Sequence, residues 1–99
     1  MLSMEPDFVI HEEGNDLVIE LEIPRGLQKD EIKITIEGDY LRVEGRRDLS
    51  KEAKTDSFYA IEEKSTNFLK QIGLPINVRD SGAKTEFIDN MLRITIPKQ

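Results

Sequence analysis

The chain has 99 residues, and its 20 acidic against 14 basic side chains give a net charge of −6, which disfavours nucleic acid as a partner. It contains no cysteine, which excludes a disulfide framework, a thiolate metal site and a cysteine nucleophile. No apolar run approaches the ~20 residues that span a bilayer, so we expect a single cytoplasmic domain with no membrane contact.

The first part of the chain alternates apolar and polar residues with the period of two that is typical of half-buried strands. A first strand begins at Phe8 and turns through Gly14 and Asn15 into a second one. The apolar face of that second strand is formed by Leu17, Ile19, Leu21 and Ile23, and Val18, Glu20 and Glu22 form its wet face. Pro24 cannot donate to a strand ladder, so a polar connection follows, with room for one helical turn.

Two further hairpins are predicted. The segment EIKITIEGDYLRVEG at residues 31–45 places isoleucines inward, turns at Gly38 and Asp39, and returns with Leu41 and Val43 inward. The segment FLKQIGLP at residues 68–75 is a strand whose apolar face Lys70 interrupts. The last hairpin turns at Asp89 and Asn90, and ITI at residues 94–96 reads as the final core strand. The pattern predicts an all-β, immunoglobulin-like sandwich of seven to eight antiparallel strands.

One stretch does not fit this pattern. Residues 46–57, RRDLSKEAKTDS, are charged or small and have weak helical and strand character. A loop of that length is uncommon in a small sandwich unless it is disordered or serves a purpose outside its own core. The apolar FYAI at residues 58–61 follows it and suits a short strand that pairs with the sheet edge of another chain.

Residues that could carry catalysis are scarce. His11 is the single histidine, and no partner at a suitable spacing completes a triad. Neighbouring acids such as Glu12 and Glu13 point to opposite faces of a strand, which argues against a metal or an acid/base pair. The isolated glycines form no phosphate-binding loop. We therefore predict no enzyme activity, no metal site and no cofactor.

The segment order resembles the α-crystallin domain of small heat-shock proteins. Residues 23–47, IPRGLQKDEIKITIEGDYLRVEGRR, are similar to one part of that domain. That part has a proline and a glycine, then a strand that starts with an acidic and an apolar residue, then a strand with leucine and valine that ends in glycine and a basic residue. FLKQIGLPINV and TEFIDNMLRITIPK resemble its later strands, although Thr85, Asn90 and Met91 replace the usual alanine, glycine and valine. The resemblance implies a domain over residues 8–98 after a short N-terminal tail at 1–7.

The resemblance also implies surfaces and partners. It implies an ATP-independent holdase that binds partly unfolded client proteins, and a homodimer formed by strand exchange through a dimerisation arm at residues 46–61. Phe58, Tyr59 and Ile61 would anchor that arm. The resemblance also implies a groove that binds clients or an Ile-x-Ile tail of a longer parent chain. This groove would be lined by Ile34, Ile36, Thr85 and Phe87. The alternative is that all four residues are ordinary core residues of the sandwich.

Three interpretations stay open at this stage. The leading one is a small heat-shock chaperone domain, active in the stress response and able to oligomerise. Members usually carry a longer apolar N-terminal segment and a C-terminal extension, and both are short in this sequence, which favours the second interpretation, a structural or scaffold protein of the same fold. The third is a CS-type co-chaperone domain, which usually lacks the arm.

Overall fold

The computed structural model describes residues 7–99, and in that range the chain folds almost entirely into strands. The strands are β1 (Phe8–Glu13), β2 (Asp16–Glu22), β3 (Ile32–Glu37), β4 (Tyr40–Lys54), β5 (Tyr59–Gly73), β6 (Lys84–Ile88) and β7 (Met91–Pro97). A 3-10 helix at Lys29–Glu31 precedes β3 and is the helical turn predicted for the polar connection. Residues 1–6 of the predicted N-terminal tail lie outside the described range.

The strands form two antiparallel sheets. One has four strands in the order β1-β2-β7-β6, and the other has three in the order β3-β4-β5. The connections that join β2 to β3 and β5 to β6 pass from one sheet to the other. The predicted all-β sandwich is therefore confirmed, with seven strands in the described part of the chain.

Three tight turns set the register of the hairpins. Gly14 and Gly38 take positive φ angles of 57° and 58° in two-residue turns that join β1 to β2 and β3 to β4. The β6–β7 turn is also where the sequence places it, at Asp89 and Asn90, and Asp89 has a positive φ of 56°. An aspartate tolerates this conformation because its short polar side chain bonds locally.

The core lies between the two sheets. Its fully buried residues come mainly from β2, β4 and β7, and further apolar residues at the sandwich margins cover them in part. The buried set is Leu17, Ile19, Leu21, Ile23, Leu27, Leu41, Val43, Ile72, Leu92, Ile94 and Ile96. Ile94 and Ile96 thus belong to the last core strand, as the alternation predicts.

Val18 differs from its expected place on a wet face. It lies on the outer face of the four-stranded sheet, yet none of its surface is exposed. Its register partners are His11 on β1 and Thr95 on β7, and both are partly buried. A small apolar side chain that packs between partly buried neighbours on both adjacent strands of a pleated sheet loses its contact with water.

The expectation that residues 46–57 lack strand structure is wrong for residues 46–54, and residues 55–57 belong to a turn. Residues Arg46–Lys54 continue β4 and pair in register with Tyr59–Asn67 of β5, so this part of the chain is an antiparallel hairpin. We call residues 46–67 the hairpin arm. Nine residues per strand correspond to about 30 Å, and the molecule is 63 Å along its longest axis. Phe58 lies in the turn, and the strand begins at Tyr59.

Candidate interaction edges

Four strands lie at the edges of the two sheets. They are β1 and β6 in one sheet and β3 and β5 in the other. An edge strand presents a row of N–H and C=O groups that have no partner in their own sheet, and such rows can pair with another chain. The residues that carry these groups follow from the hydrogen-bond alternation of antiparallel ladders, in which successive residues face opposite neighbours.

The free edge of β3 presents the backbone of Ile34 and Ile36. Leu74 N donates to Asp39 O at 2.7 Å, which shows that the odd-numbered residues of β4 face β5. The even-numbered residues of β4 therefore face β3, where Arg42 pairs with Thr35. The isoleucines on either side of Thr35 consequently direct their N–H and C=O groups away from β4.

The free edge of β6 presents Thr85 and Phe87 by the same reasoning. Ile23 N donates to Asn90 O at 2.7 Å, so the even-numbered residues of β7 face β2 and the odd-numbered residues face β6. Arg93 of β7 pairs with Glu86 of β6. The backbone groups of the two residues that flank Glu86 therefore point to the open edge.

The structure thus gives the four predicted groove residues two properties in common. Their backbone groups lie on free edges, and each side chain is half-buried. The three apolar ones, Ile34, Ile36 and Phe87, pack against the core. Near Ile36 a surface depression of 380 Å³ continues along residues 76–81. The core and groove readings are therefore compatible for these residues, because an open sandwich margin exposes part of its inner face.

The opposite margin, between β1 and β5, is closed by a charged side chain. Lys70 points inward from β5, its Nζ lies 2.6 Å from Asp7 Oδ1, and it also sits 5.3 Å from the centre of the Phe8 ring. The hydrogen bond from Lys70 lowers the pKa of Asp7. The sequence identifies Lys70 as an interruption of the apolar face but gives no sign of its partner.

The hairpin arm carries exposed apolar residues near its tip. Phe58, Tyr59 and Ile61, the predicted arm anchors, are 55%, 56% and 53% exposed. Because the even-numbered residues of β5 face β4, Tyr59 and Ile61 also direct their backbone groups to the free edge of β5. Sequence reasoning assigned these anchors to a short strand that pairs with the sheet edge of another chain, and it missed that β4 of their own chain already pairs with them on one side.

The edge strand β1 also presents a row of unpaired backbone N–H and C=O groups. Glu22 N donates to Asp7 O at 3.1 Å, so Val9 and His11 face β2. Phe8, Ile10 and Glu12 consequently present their backbone groups outward. Within residues 7–99, the β1 edge and the arm edge are thus both unpaired.

The outer face of the four-stranded sheet carries a network of charged and polar contacts around Glu13. His11 Nε2 lies 3.1 Å from Glu13 Oε1, and Arg93 donates to Glu13 Oε2 at 3.0 Å. The hydrogen bond with His11, followed by the charge of Arg93, lowers the pKa of Glu13. Within residues 7–99 no group of three or more His, Cys, Asp or Glu side chains could hold a metal ion. In the same range no helix is long and apolar enough to cross a membrane.

Comparison with known proteins decides the family. Residues 9–99 match the model of the Hsp20/alpha crystallin family. The chain belongs to this family. A 17.5 kDa class I heat shock protein of Glycine max is 39% identical over 83 residues, which are 83% of this chain and 54% of that relative. The chain thus spans about half the length of the curated relatives it matches.

Solved structures agree with the fold. The hspA structure from Xanthomonas axonopodis is 26% identical, covers 93% of this chain and 91% of its own, and superimposes with a TM-score of 0.66. Heat shock protein 16.0 from Schizosaccharomyces pombe has a TM-score of 0.68 over 97% of this chain and 88% of its own. At 18% identity the second likeness concerns the fold alone. The family match favours the small heat-shock interpretations over the CS-type co-chaperone.

Proposed function

We propose that this protein is a holdase-type molecular chaperone domain that works in the cytoplasm without ATP and binds partly unfolded polypeptide along its free sheet edges. One observation carries the proposal: the β3 and β6 edges combine unpaired backbone groups with half-buried apolar side chains. Partly unfolded chains expose apolar side chains and unpaired strand edges, which are the groups that such a margin can cover.

The hairpin arm is the proposed dimer contact. Its free edge at Tyr59 and Ile61 would add to the free edge of the partner's β1 and bury the exposed anchors at the same time. The arm is already a hairpin in one chain, so this pairing needs no separation of β5 from β4. Deletion of residues 48–60 is expected to give a folded, β-rich monomer in sedimentation and circular dichroism. A particle that keeps the mass of two chains would place the dimer contact elsewhere.

The groove defined by Ile34, Ile36, Thr85 and Phe87 is the proposed site for clients and for an Ile-x-Ile tail. A tail with two apolar residues at a spacing of two places both side chains on one face, toward the core, while its backbone pairs with a free edge. The four groove residues offer both kinds of contact along the same margin.

Two adjacent residues of β6 allow a matched test of the groove. Thr85 has its side chain and its backbone groups at the groove, whereas the backbone of Glu86 faces β7 and its side chain is exposed on the outer face. Thr85→Lys is expected to abolish binding of a fluorescent Ile-x-Ile peptide in anisotropy titrations, and Glu86→Lys to preserve it. Equal affinities for both variants would exclude this groove as the peptide site.

The chaperone activity itself is tested by light scattering of a heat-stressed model substrate. We expect the protein to suppress aggregation without added nucleotide, and Thr85→Lys to suppress it less than Glu86→Lys. No suppression at a molar excess of protein, with the protein folded at the assay temperature, would favour the structural or scaffold alternative.

A further inference from the structure

The hairpin arm leaves the sandwich where the third strand of its sheet stops. Pairing between β3 and β4 begins at Ile32 opposite Gly45, so from Arg46 outward no other described strand pairs with the arm on the β4 side. Two-stranded ribbons twist strongly and are marginally stable on their own. The direction of the arm relative to the sandwich therefore depends on the contacts at its base.

Arg47 makes contacts at that base with two different elements. Its Nη1 donates to Gly26 O at 3.1 Å, and its Nε lies 3.7 Å from Glu31 Oε2. The other carboxylate oxygen of Glu31 accepts a hydrogen bond from Gln28 N at 2.8 Å, which caps the 3-10 helix. One guanidinium thus ties β4 to the connection between β2 and β3 at two points that are 5 residues apart in sequence (26 to 31).

Partial burial strengthens these contacts relative to ordinary surface pairs. The side chains of Arg47 and Glu31 are 31% and 23% exposed, so water screens them less than it screens a fully solvated pair. Leu27, between the two contact points, is buried against Gly45, where an added Cβ would lie 2.7 Å from Leu27 Cδ1. The connection at residues 26–31 is therefore packed under the first residues of the arm.

We propose that Arg47 is a positioning residue that fixes the angle between the hairpin arm and the sandwich. Its guanidinium braces the arm against the connection at residues 26–31, so that the free edge near Tyr59 points in one direction. The effect on the arm angle concerns a single chain. The consequence for the affinity of the dimer rests on the proposed function.

The neighbouring arginine provides a matched control. Arg46 is 72% exposed on the opposite face of β4, and its Nε lies 3.1 Å from Asp48 within the same strand. Among the residues that the structure describes, it makes no ion pair or hydrogen bond with the connection. Removal of either side chain changes the net charge equally, but only Arg47 joins the arm to another element.

Distance measurement between two spin labels tests the inference. The chain has no cysteine, so Asp56→Cys at the tip and Ser81→Cys in the body give one defined pair, diluted with unlabelled protein to suppress signals between chains. Arg47→Ala is expected to raise the population of displaced arms about fivefold, the size expected for loss of one ion pair with its hydrogen bond. Arg46→Ala is expected to match the parent distribution.

Glu31→Gln provides a second variant. It retains the helix cap, because the amide oxygen of the glutamine still accepts a hydrogen bond from Gln28 N. It is expected to displace the arm in the same direction as Arg47→Ala. Superimposable distributions for the parent, Arg47→Ala and Glu31→Gln proteins, with circular dichroism of folded protein, would overturn the proposal. A displaced arm with an unchanged dimer affinity would instead contradict the proposed dimer contact and leave the positioning role intact.

Discussion

Replacement of Ile61 by serine is the sharpest perturbation of the proposed dimer contact. Full burial of an isoleucine side chain stabilises by about 2 kcal/mol relative to exposure. Ile61 is 53% exposed in the single chain, so covering the remainder contributes about 1 kcal/mol per copy and about 2 kcal/mol in a symmetric dimer. Ile61→Ser is therefore expected to raise the dimer Kd about 30-fold, as measured by sedimentation equilibrium.

Ile88→Ser is the matched control for this prediction. Ile88 undergoes the same chemical change and is 65% exposed, but it lies on the outer face of β6 with its backbone paired to Met91, outside both proposed surfaces. Its dimer Kd is expected to stay within about twofold of the parent value, a change of under 0.5 kcal/mol. An equal weakening in both variants, or no change in either, would refute the reasoning from exposed arm anchors.

Two further changes test the fold around these surfaces. Gly45→Ala is expected to destabilise the fold by about 1 kcal/mol through its contact with Leu27, and thus to lower Tm by about 4–8 °C. Gly73→Ala is the control, because no atom of residues 7–99 lies within 4 Å of the added Cβ and the packing stays unchanged. Equal Tm values for the two variants in thermal melts would contradict the close contact between Gly45 and Leu27. The pKa of Asp7 is lower in the folded protein than in the unfolded chain. The ionised carboxylate therefore stabilises the fold at pH values above the unfolded pKa, and this stability is lost as the pH falls through the folded pKa. Asp7→Asn should therefore be less stable than the parent at pH 7 by under about 1 kcal/mol, with the gap closing below about pH 4 in urea titrations; a gap that persists at low pH would exclude the pair with Lys70 as its cause.

The sandwich could be predicted from the sequence because its strands have one dry face each. The alternation of Leu17, Ile19 and Leu21 specifies which side is buried, and the turns at Gly14 and Gly38 specify where each hairpin reverses. The groove residues were also accessible to sequence reasoning, but only through the family resemblance. Periodicity alone does not distinguish a core strand from an edge strand.

The hairpin arm could not be predicted from periodicity because both of its faces meet water. Residues 48–54 of β4 are all exposed, so no apolar alternation marks them as strand. Some residues of the arm are nevertheless of types that favour a hairpin: oppositely charged side chains on the two strands and a threonine in the turn. Lys51 lies opposite Glu62 in the register, and Thr55 Oγ1 accepts hydrogen bonds from the backbone N–H groups of Ser57 and Phe58 in the turn. The contact between Lys70 and Asp7 depends on the stacking of the two sheets, which a local pattern does not contain.

Residue-resolved amide hydrogen exchange tests the central claim that free backbone edges bind other chains. In the single chain the amides of Ile34, Ile36 and Phe87 are expected to exchange faster than that of Thr35, which faces β4. Addition of a partly unfolded client is expected to slow exchange at these edge amides. Suppression of client aggregation with no new protection at any of them would contradict the account.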